Sequence, residues 1–127
     1  MDPISDMLIR IQNAQRAGHQ AVQIPYSKIK HEIAKALERG GLVGRVERKG
    51  KRIKKFLEVE LLGGREHPGF SGVRLISTPG RRVYQSYKDV RPASRGGSVI
   101  MTTSKGILTG QEARRQRVGG QVIAEVW

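Results

Sequence analysis

The hydrophobic spacing of this chain changes near residue 63, and that change limits the folds open to it. In the first half, Ile4, Met7, Leu8 and Ile11 fall at i, i+3, i+4 and i+7, one face of a helix. Asp2-Pro3 supplies the start, since Asp caps and Pro fits the first turn, and Gly18 supplies a stop. Val22 and Ile24 alternate with polar residues in a short strand ended by Pro25. Ser27 caps a second helix with Ile29, Ile33, Ala36 and Leu37 on one face, ended by Gly40-Gly41. Leu42–Val46 reads as a strand. After a basic turn, Ile53–Leu61 reads as another, with Leu57, Val59 and Leu61 alternating with Glu58 and Glu60. Residues 1–62 are therefore expected to form an α-β-α-β-β subdomain.

Residues 63–69, GGREHPG, hold three glycines and a proline and read as a linker. Residues 70–127 have a different character. Short strands are predicted at Gly72–Ser77, Arg82–Tyr84, Val99–Thr103 and Gln121–Val126, separated by glycine-rich turns. Thr109 with Glu112 three residues on is a capping box, so Thr109–Arg117 is predicted to be a brief helix. The expected class is α+β: the N-terminal subdomain joined to a mostly β C-terminal subdomain with a short helix. A length of 127 residues suits one domain or two small joined ones.

Charge narrows the function. Lys and Arg number 24 against 11 Asp and Glu, a formal net charge of +13. The excess is shared almost equally between residues 1–62 and residues 63–127, which is not the distribution of a basic tail. A folded body that is positive throughout points to a polyanion, most often nucleic acid; the plain alternative is a protein that is merely basic. No cysteine is present, which removes disulfides and thiolate chemistry and fits a cytosolic protein. No apolar run reaches the length of a membrane span. The opening MDPISDML lacks the basic-then-apolar order of a signal peptide.

Catalytic readings fare poorly. His31-Glu32-Ile33-Ala34-Lys35 is half of a zinc-protease motif, but position 35 must be His for two ligands to share a helix face. His19 and His67 sit in predicted loops, so the three histidines make a poor metal set. The carboxylates are dispersed, and no G-x-S-x-G elbow supports a nucleophile. No metal or cofactor is expected. A serine–histidine–aspartate site assembled in space stays open as a rival.

The stretch TTSKGILTG, Thr102–Gly110, concentrates hydroxyls and glycines. It is not a Walker loop, because no Gly-Lys-Ser/Thr occurs. Its hydroxyls and freed backbone N–H groups could instead bond phosphates, 2′-hydroxyls and base edges, with Lys105 adding charge. The other reading is an ordinary turn that caps the following helix. Two further features bear on nucleic acid. The run RVERKGKRIKK, residues 45–55, places Arg48, Lys49, Lys51, Arg52, Lys54 and Lys55 around a hairpin turn, where they could meet phosphates or only water. Tyr84 follows Arg81-Arg82, two more candidate phosphate contacts, and could stack on a base or pack in the core. Neither N-terminal helix has an unusually basic polar face, which favours RNA over a helix in the DNA major groove.

Several segments together resemble the small ribosomal subunit protein eight family of bacterial type. VIMTTSKGILTGQEARRQRVGGQVIAEVW is similar to that family's C-terminus, DPISDMLIRIQNA to its opening helix, IPYSKIKHEIAKALERGGLV to its second helix and LISTPGRRVY to its Ser-x-Pro-Gly-x-Arg-x-Tyr segment. The resemblance covers essentially the whole chain in order. It implies a non-enzymatic constituent of the small subunit, located in the cytoplasm with the ribosome. Such a protein binds the central domain of 16S rRNA directly and early in assembly. It implies neighbouring small-subunit proteins as partners. Some members repress their own message, which makes that mRNA a candidate partner. The family's rRNA-gripping loop maps onto Thr102, Thr103, Ser104, Lys105 and Gly106, its stacking tyrosine onto Tyr84, and its glycine pair near RNA onto Gly119 and Gly120. The chain departs from the family pattern at Thr102 (for Ser), Gly110 (for an acid), Gln121 (for Glu) and Gly96-Gly97-Ser98 (for Gly-Leu-Gly). A free-standing RNA-binding translational regulator is the main rival function.

Overall fold

The structure is a computed structural model that describes residues 3–62, 72–78, 80–90 and 97–127. The expected linker at 63–69, the Asp2 cap, Pro79 and Gly96 lie outside the described residues. The chain divides into two compact units, Met1–Ser71 and Gly72–Trp127.

The first unit has the order α1 (Pro3–Arg16), β1 (Ala21–Pro25), α2 (Lys28–Arg39), β2 (Val46–Lys49) and β3 (Phe56–Glu60), the expected α-β-α-β-β. Its antiparallel sheet has the order β1-β3-β2, with Val22 and Val46 both opposite Val59. The apolar faces of both helices are buried through Met7, Leu8, Ile11, Ile33, Ala36 and Leu37, together with Ile24, Leu57 and Val59 from the sheet. Ser27 caps α2 as expected, its hydroxyl accepting the Lys30 N–H at 3.2 Å.

Two expected boundaries in this unit move. The strand expected at Leu42–Val46 starts only at Val46. Leu42 instead closes the end of α2, its N–H bonding Leu37 O at 3.0 Å, and both Leu42 and Val43 are buried in the connection. The strand expected at Ile53–Leu61 runs from Phe56 to Glu60. Ile53 belongs to the turn and is 95% exposed.

The second unit comprises β4 (Val73–Leu75), β5 (Tyr84–Gln85), β6 (Ser98–Thr103), β7 (Gly106–Thr109), α3 (Gly110–Gln116) and β8 (Gly120–Val126). Its sheet runs β4-β8-β6-β7, with β5 also pairing β8, and a register shift falls between Ile100 and Met101. Strand β7 is not among the strands expected from the sequence. Met101, Leu108 and Val122 form one inward row of the sheet and pack with Val90, Val99 and Ala113 of α3. The predicted capping box is present: Glu112 N–H donates to Thr109 Oγ1 at 3.2 Å, and Thr109 N–H donates to Glu112 Oε1 at 3.0 Å. The Gly110 departure therefore leaves the start of α3 intact.

Candidate nucleic-acid interface

One end of the second sheet gathers the residues singled out in its sequence. Tyr84 pairs with Gln121, Gln121 with Thr102, and Thr102 with Ile107. The adjacent row is Gln85, Gly120, Thr103 and Gly106. Four strands thus bring Tyr84, the Gly119–Gly120 pair and the hydroxyl segment together, although they come from three separate stretches of chain.

The hydroxyl segment is the tip of a tight hairpin. Thr103 faces Gly106 across a turn made by Ser104 and Lys105, and Gly106 takes the left-handed conformation at φ 100° that closes such a turn. Thr103 holds the tip together: its hydroxyl donates to Gly106 O at 2.8 Å and accepts the Lys105 N–H at 3.1 Å. That leaves Ser104 and Lys105 exposed at the apex, with Thr102 half-buried in the strand. The four hydroxyls therefore divide by role. Thr103 and Thr109 serve the fold, whereas Ser104 makes no side-chain hydrogen bond among the described residues.

Gly119 and Gly120 also have an internal reason to be glycine. A Cβ on Gly120 would run into the Thr102 carbonyl, and one on Gly119 would lie 2.6 Å from Gln85 O and 2.8 Å from Ser86 Cα. The pair lets β5 and β6 close on β8 and so assembles the platform itself.

Tyr84 is not a core residue; 66% of it is exposed. Its position follows from Ser77, whose buried hydroxyl donates to Val122 O and accepts the Val83 N–H at 2.9 Å. Val122 N–H returns a bond to Val83 O at 2.8 Å. Thr78 and Arg81 exchange both backbone hydrogen bonds, at 2.8 and 3.0 Å, and turn the chain into β5. Arg81 and Arg82 are exposed on that approach. Nothing in the spacing of LISTPGRRVY signals the Ser77 clamp, which ties the residue before Tyr84 to β8.

Most described cations of this unit have no ion pair among the described residues. Among the described residues one ion pair forms, Arg74 with Glu125 at 3.7 Å. Arg81, Arg82, Lys88, Lys105, Arg114, Arg115 and Arg117 are exposed and pair with no described carboxylate. The three arginines on and after α3 are not among the residues singled out in the sequence. Their only signal is the run Arg114-Arg115-Gln116-Arg117.

The basic hairpin of the first unit is arranged differently. Lys49 bonds Glu58 at 3.1 Å and lies 3.7 Å from Glu47, and the Glu58 carboxylate raises its pKa. Arg48 sits over the Tyr26 ring at 5.4 Å. Only Lys51, Arg52, Lys54 and Lys55, at the turn, are exposed and unpaired among the described residues.

On the helix carrying half a zinc-protease motif, both end residues of that motif make local contacts. His31 packs edge-on to Tyr26 with centroids 5.9 Å apart, and Lys35 bonds Glu38 and Val46 O, both at 3.1 Å. No group of three His, Cys, Asp or Glu side chains that could hold a metal occurs among the described residues. A groove of about 490 Å³ along α1 and β1 is lined by Ile9, Ala14, Ala17 and Val22 with Asp6, Arg10, Asn13 and His19. Within it Asp6 and Arg10 face each other as an ion pair at 3.8 Å. No helix among the described residues is long and apolar enough to cross a membrane.

The sequence model of the family described as ribosomal protein S8 matches residues 2–127. Similar curated proteins carry the corresponding name. The small ribosomal subunit protein uS8 of Treponema pallidum (strain Nichols) is 45% identical over 131 residues, covering 99% of this chain and 97% of its own. That of Thermus aquaticus is 42% identical over 135 residues, covering 99% and 98%. The small ribosomal subunit protein uS8c of Tupiella akineta is 40% identical over 128 residues, covering 99% and 98%.

Proposed function

The chain belongs to the ribosomal protein S8 family, and from that premise we propose that it is a structural constituent of the small ribosomal subunit that binds rRNA directly. The RNA is the central domain of 16S rRNA, bound early enough to help assemble the 30S subunit. Neighbouring small-subunit proteins and its own mRNA are the further partners of this reading. Its place is the cytoplasmic ribosome, and its role is architectural rather than catalytic.

One observation supports the RNA contact: exposed Tyr84 and the Ser104–Lys105 apex lie at one sheet end, with Arg81 and Arg82 preceding Tyr84 in the chain and pairing with no described carboxylate. Each part has a distinct task. The lysines and arginines neutralise phosphates and supply most of the affinity. Ser104 offers a hydroxyl to phosphate, ribose or a base edge, and Tyr84 offers an exposed ring on which an unpaired base can stack. An A-form duplex hides its major-groove edges, so this equipment suits a distorted or partly unpaired stretch of RNA helix. Thr103, Ser77 and the glycine pair keep the platform rigid, which reduces the entropy lost on binding.

The test is binding to a transcript of the 16S central domain across a salt series. Affinity should fall steeply with salt, and a flat response would remove the electrostatic basis of the reading. Ser104→Ala should cost about 1–2 kcal/mol of binding with little change in stability. If that variant loses stability while its folded fraction binds normally, Ser104 is a turn residue only. Recovery of the protein with mRNA but not with small subunits would favour a free-standing regulator.

A further inference from the structure

All three helices end in the same pair of hydrogen bonds. After α1, His19 N–H bonds Ala14 O at 3.0 Å and Gly18 N–H bonds Gln15 O at 3.1 Å. After α2, Leu42 N–H bonds Leu37 O at 3.0 Å and Gly41 N–H bonds Glu38 O at 3.1 Å. After α3, Val118 N–H bonds Ala113 O at 3.0 Å and Arg117 N–H bonds Arg114 O at 3.2 Å. This is the Schellman arrangement, which places one residue in the left-handed region. At the first two ends that residue is glycine, Gly18 at φ 77° and Gly41 at φ 73°. At the third it is Arg117, at φ 57° and ψ 43°. Among the described residues no other non-glycine has a positive φ.

Backbone strain sets the third end apart from the other two. No atom lies within 4 Å of a Cβ built on Gly18 or Gly41, so crowding by neighbours does not explain the glycines there. What remains is the clash of Cβ with the following carbonyl oxygen that every L-residue meets in this region and glycine avoids. Arg117 accepts that clash, yet its side chain does nothing visible for the fold. The helix end is clasped by Val118, which packs against the cluster containing Ala113. Arg117 is exposed and pairs with no described carboxylate. The three described carboxylates of this unit are already engaged, Asp89 by Ser86, Glu112 by the cap and Glu125 by Arg74.

Its location supplies the reason. Gly120 is the third residue after Arg117, so their Cα atoms lie at most about 11 Å apart. Gly120 is paired with Gln85 on one side and Thr103 on the other. The strained arginine therefore stands within reach of the sheet end formed by Gln85, Gly120 and Thr103, at the end of a short, capped helix. We propose that Arg117 is a phosphate-binding residue of the RNA interface, held in a backbone conformation that lowers stability so that a guanidinium occupies this point. The proposal rests on the rRNA-binding reading above.

The test pairs Arg117→Gly with Arg117→Lys on the full chain, using the 16S central-domain transcript. Arg117→Gly should raise Tm by about 3–6 °C through relief of strain. It should also weaken binding about 5- to 10-fold near 0.1 M salt and make the salt slope shallower by about one. Arg117→Lys should keep the wild-type Tm and salt slope, since it retains both the strain and the charge. Arg117→Gly that binds with wild-type affinity and slope would overturn the proposal, as would one that lowers Tm. Wild-type binding measured in the same series separates the two levels. A wild-type protein that ignores the transcript rejects the underlying function, whereas a tight wild type with an indifferent Arg117→Gly rejects this residue alone.

Discussion

The two units carry similar charge and differ in how many ion pairs their described residues form. In the first, ion pairs join Arg10 to Asp6, Lys35 to Glu38, Arg45 to Glu47, and Lys49 to both Glu47 and Glu58. In the second, the described residues form one, Arg74 with Glu125. Exposed pairs stabilise little, commonly about 0–1 kcal/mol. Their value here is diagnostic: a cation with an internal carboxylate is partly neutralised before any ligand arrives. In the second unit most described cations pair with no described carboxylate, and Tyr84 is exposed. Net charge alone points to a polyanion, whereas ion pairing tells which described cations remain free to meet one.

The strongest way to break this comparison is to neutralise open cations in the second unit and compare with the first. Changing Arg81, Arg82 and Lys105 together to Gln should weaken binding to the central-domain transcript by about 100-fold or more in 0.15 M salt. Tm should hold or rise, because none of the three has an ion pair to lose among the described residues. Equal losses from Lys51→Ala with Lys54→Ala would mean that both units grip alike.

Ser77→Ala sharpens the link between fold and interface. It removes the hydroxyl that holds Val83 to Val122 and should cost about 1–3 kcal/mol of stability in chemical denaturation, as a buried donor and acceptor lose their partner. It should also loosen Tyr84 and weaken RNA binding in the protein that remains folded, which makes Ser77 a positioning residue.

The smallest expected effect lies in the first unit. Burial pushes the Glu38 carboxyl up, but the Val46 N–H at 3.0 Å, the Lys35 ammonium at 3.1 Å and the charges of Lys35 and Arg39 together bring it below its ordinary value. A lowered folded pKa contributes stability above the unfolded value, about 4.3, and loses it as pH falls through the folded value. Glu38→Gln should therefore cost less than about 1 kcal/mol at pH 7. It should also flatten the acid limb of the stability curve below pH of about 4.3; an unchanged limb would remove Glu38 from the account.

Local signals carried much of this fold. Ser27 and the Thr109–Glu112 box announce helix starts in the chain itself, and the four-residue spacing of α1 and α2 announces their buried faces. Strand β7 had no such signal. It is four residues long, and it exists because Ile107 and Leu108 meet Thr102 and Met101 across the turn. Leu42 and Val43 read as strand because their apolar side chains are needed, but the need is to close α2. Ile53 continued an apolar alternation that the turn interrupts. The hydroxyl segment stood out in the sequence as a candidate, yet the separate roles of Thr103 and Ser104 in the hairpin depend on hydrogen bonds that composition does not encode. Arg117 was least legible, since a helix end predicts glycine and only the backbone shows where arginine has replaced it.

The proposed function has the sheet end carrying Tyr84 read irregular RNA rather than merely attract phosphate. It is tested most directly by the affinity of Tyr84→Ala for the central-domain transcript and for an unrelated RNA duplex of equal length, in the same salt. Loss of one stacked base costs about 1–3 kcal/mol, so the transcript should be bound about 5- to 150-fold more weakly while the duplex is bound as before. Equal changes for both RNAs would contradict the account and leave the sheet end as a general electrostatic surface.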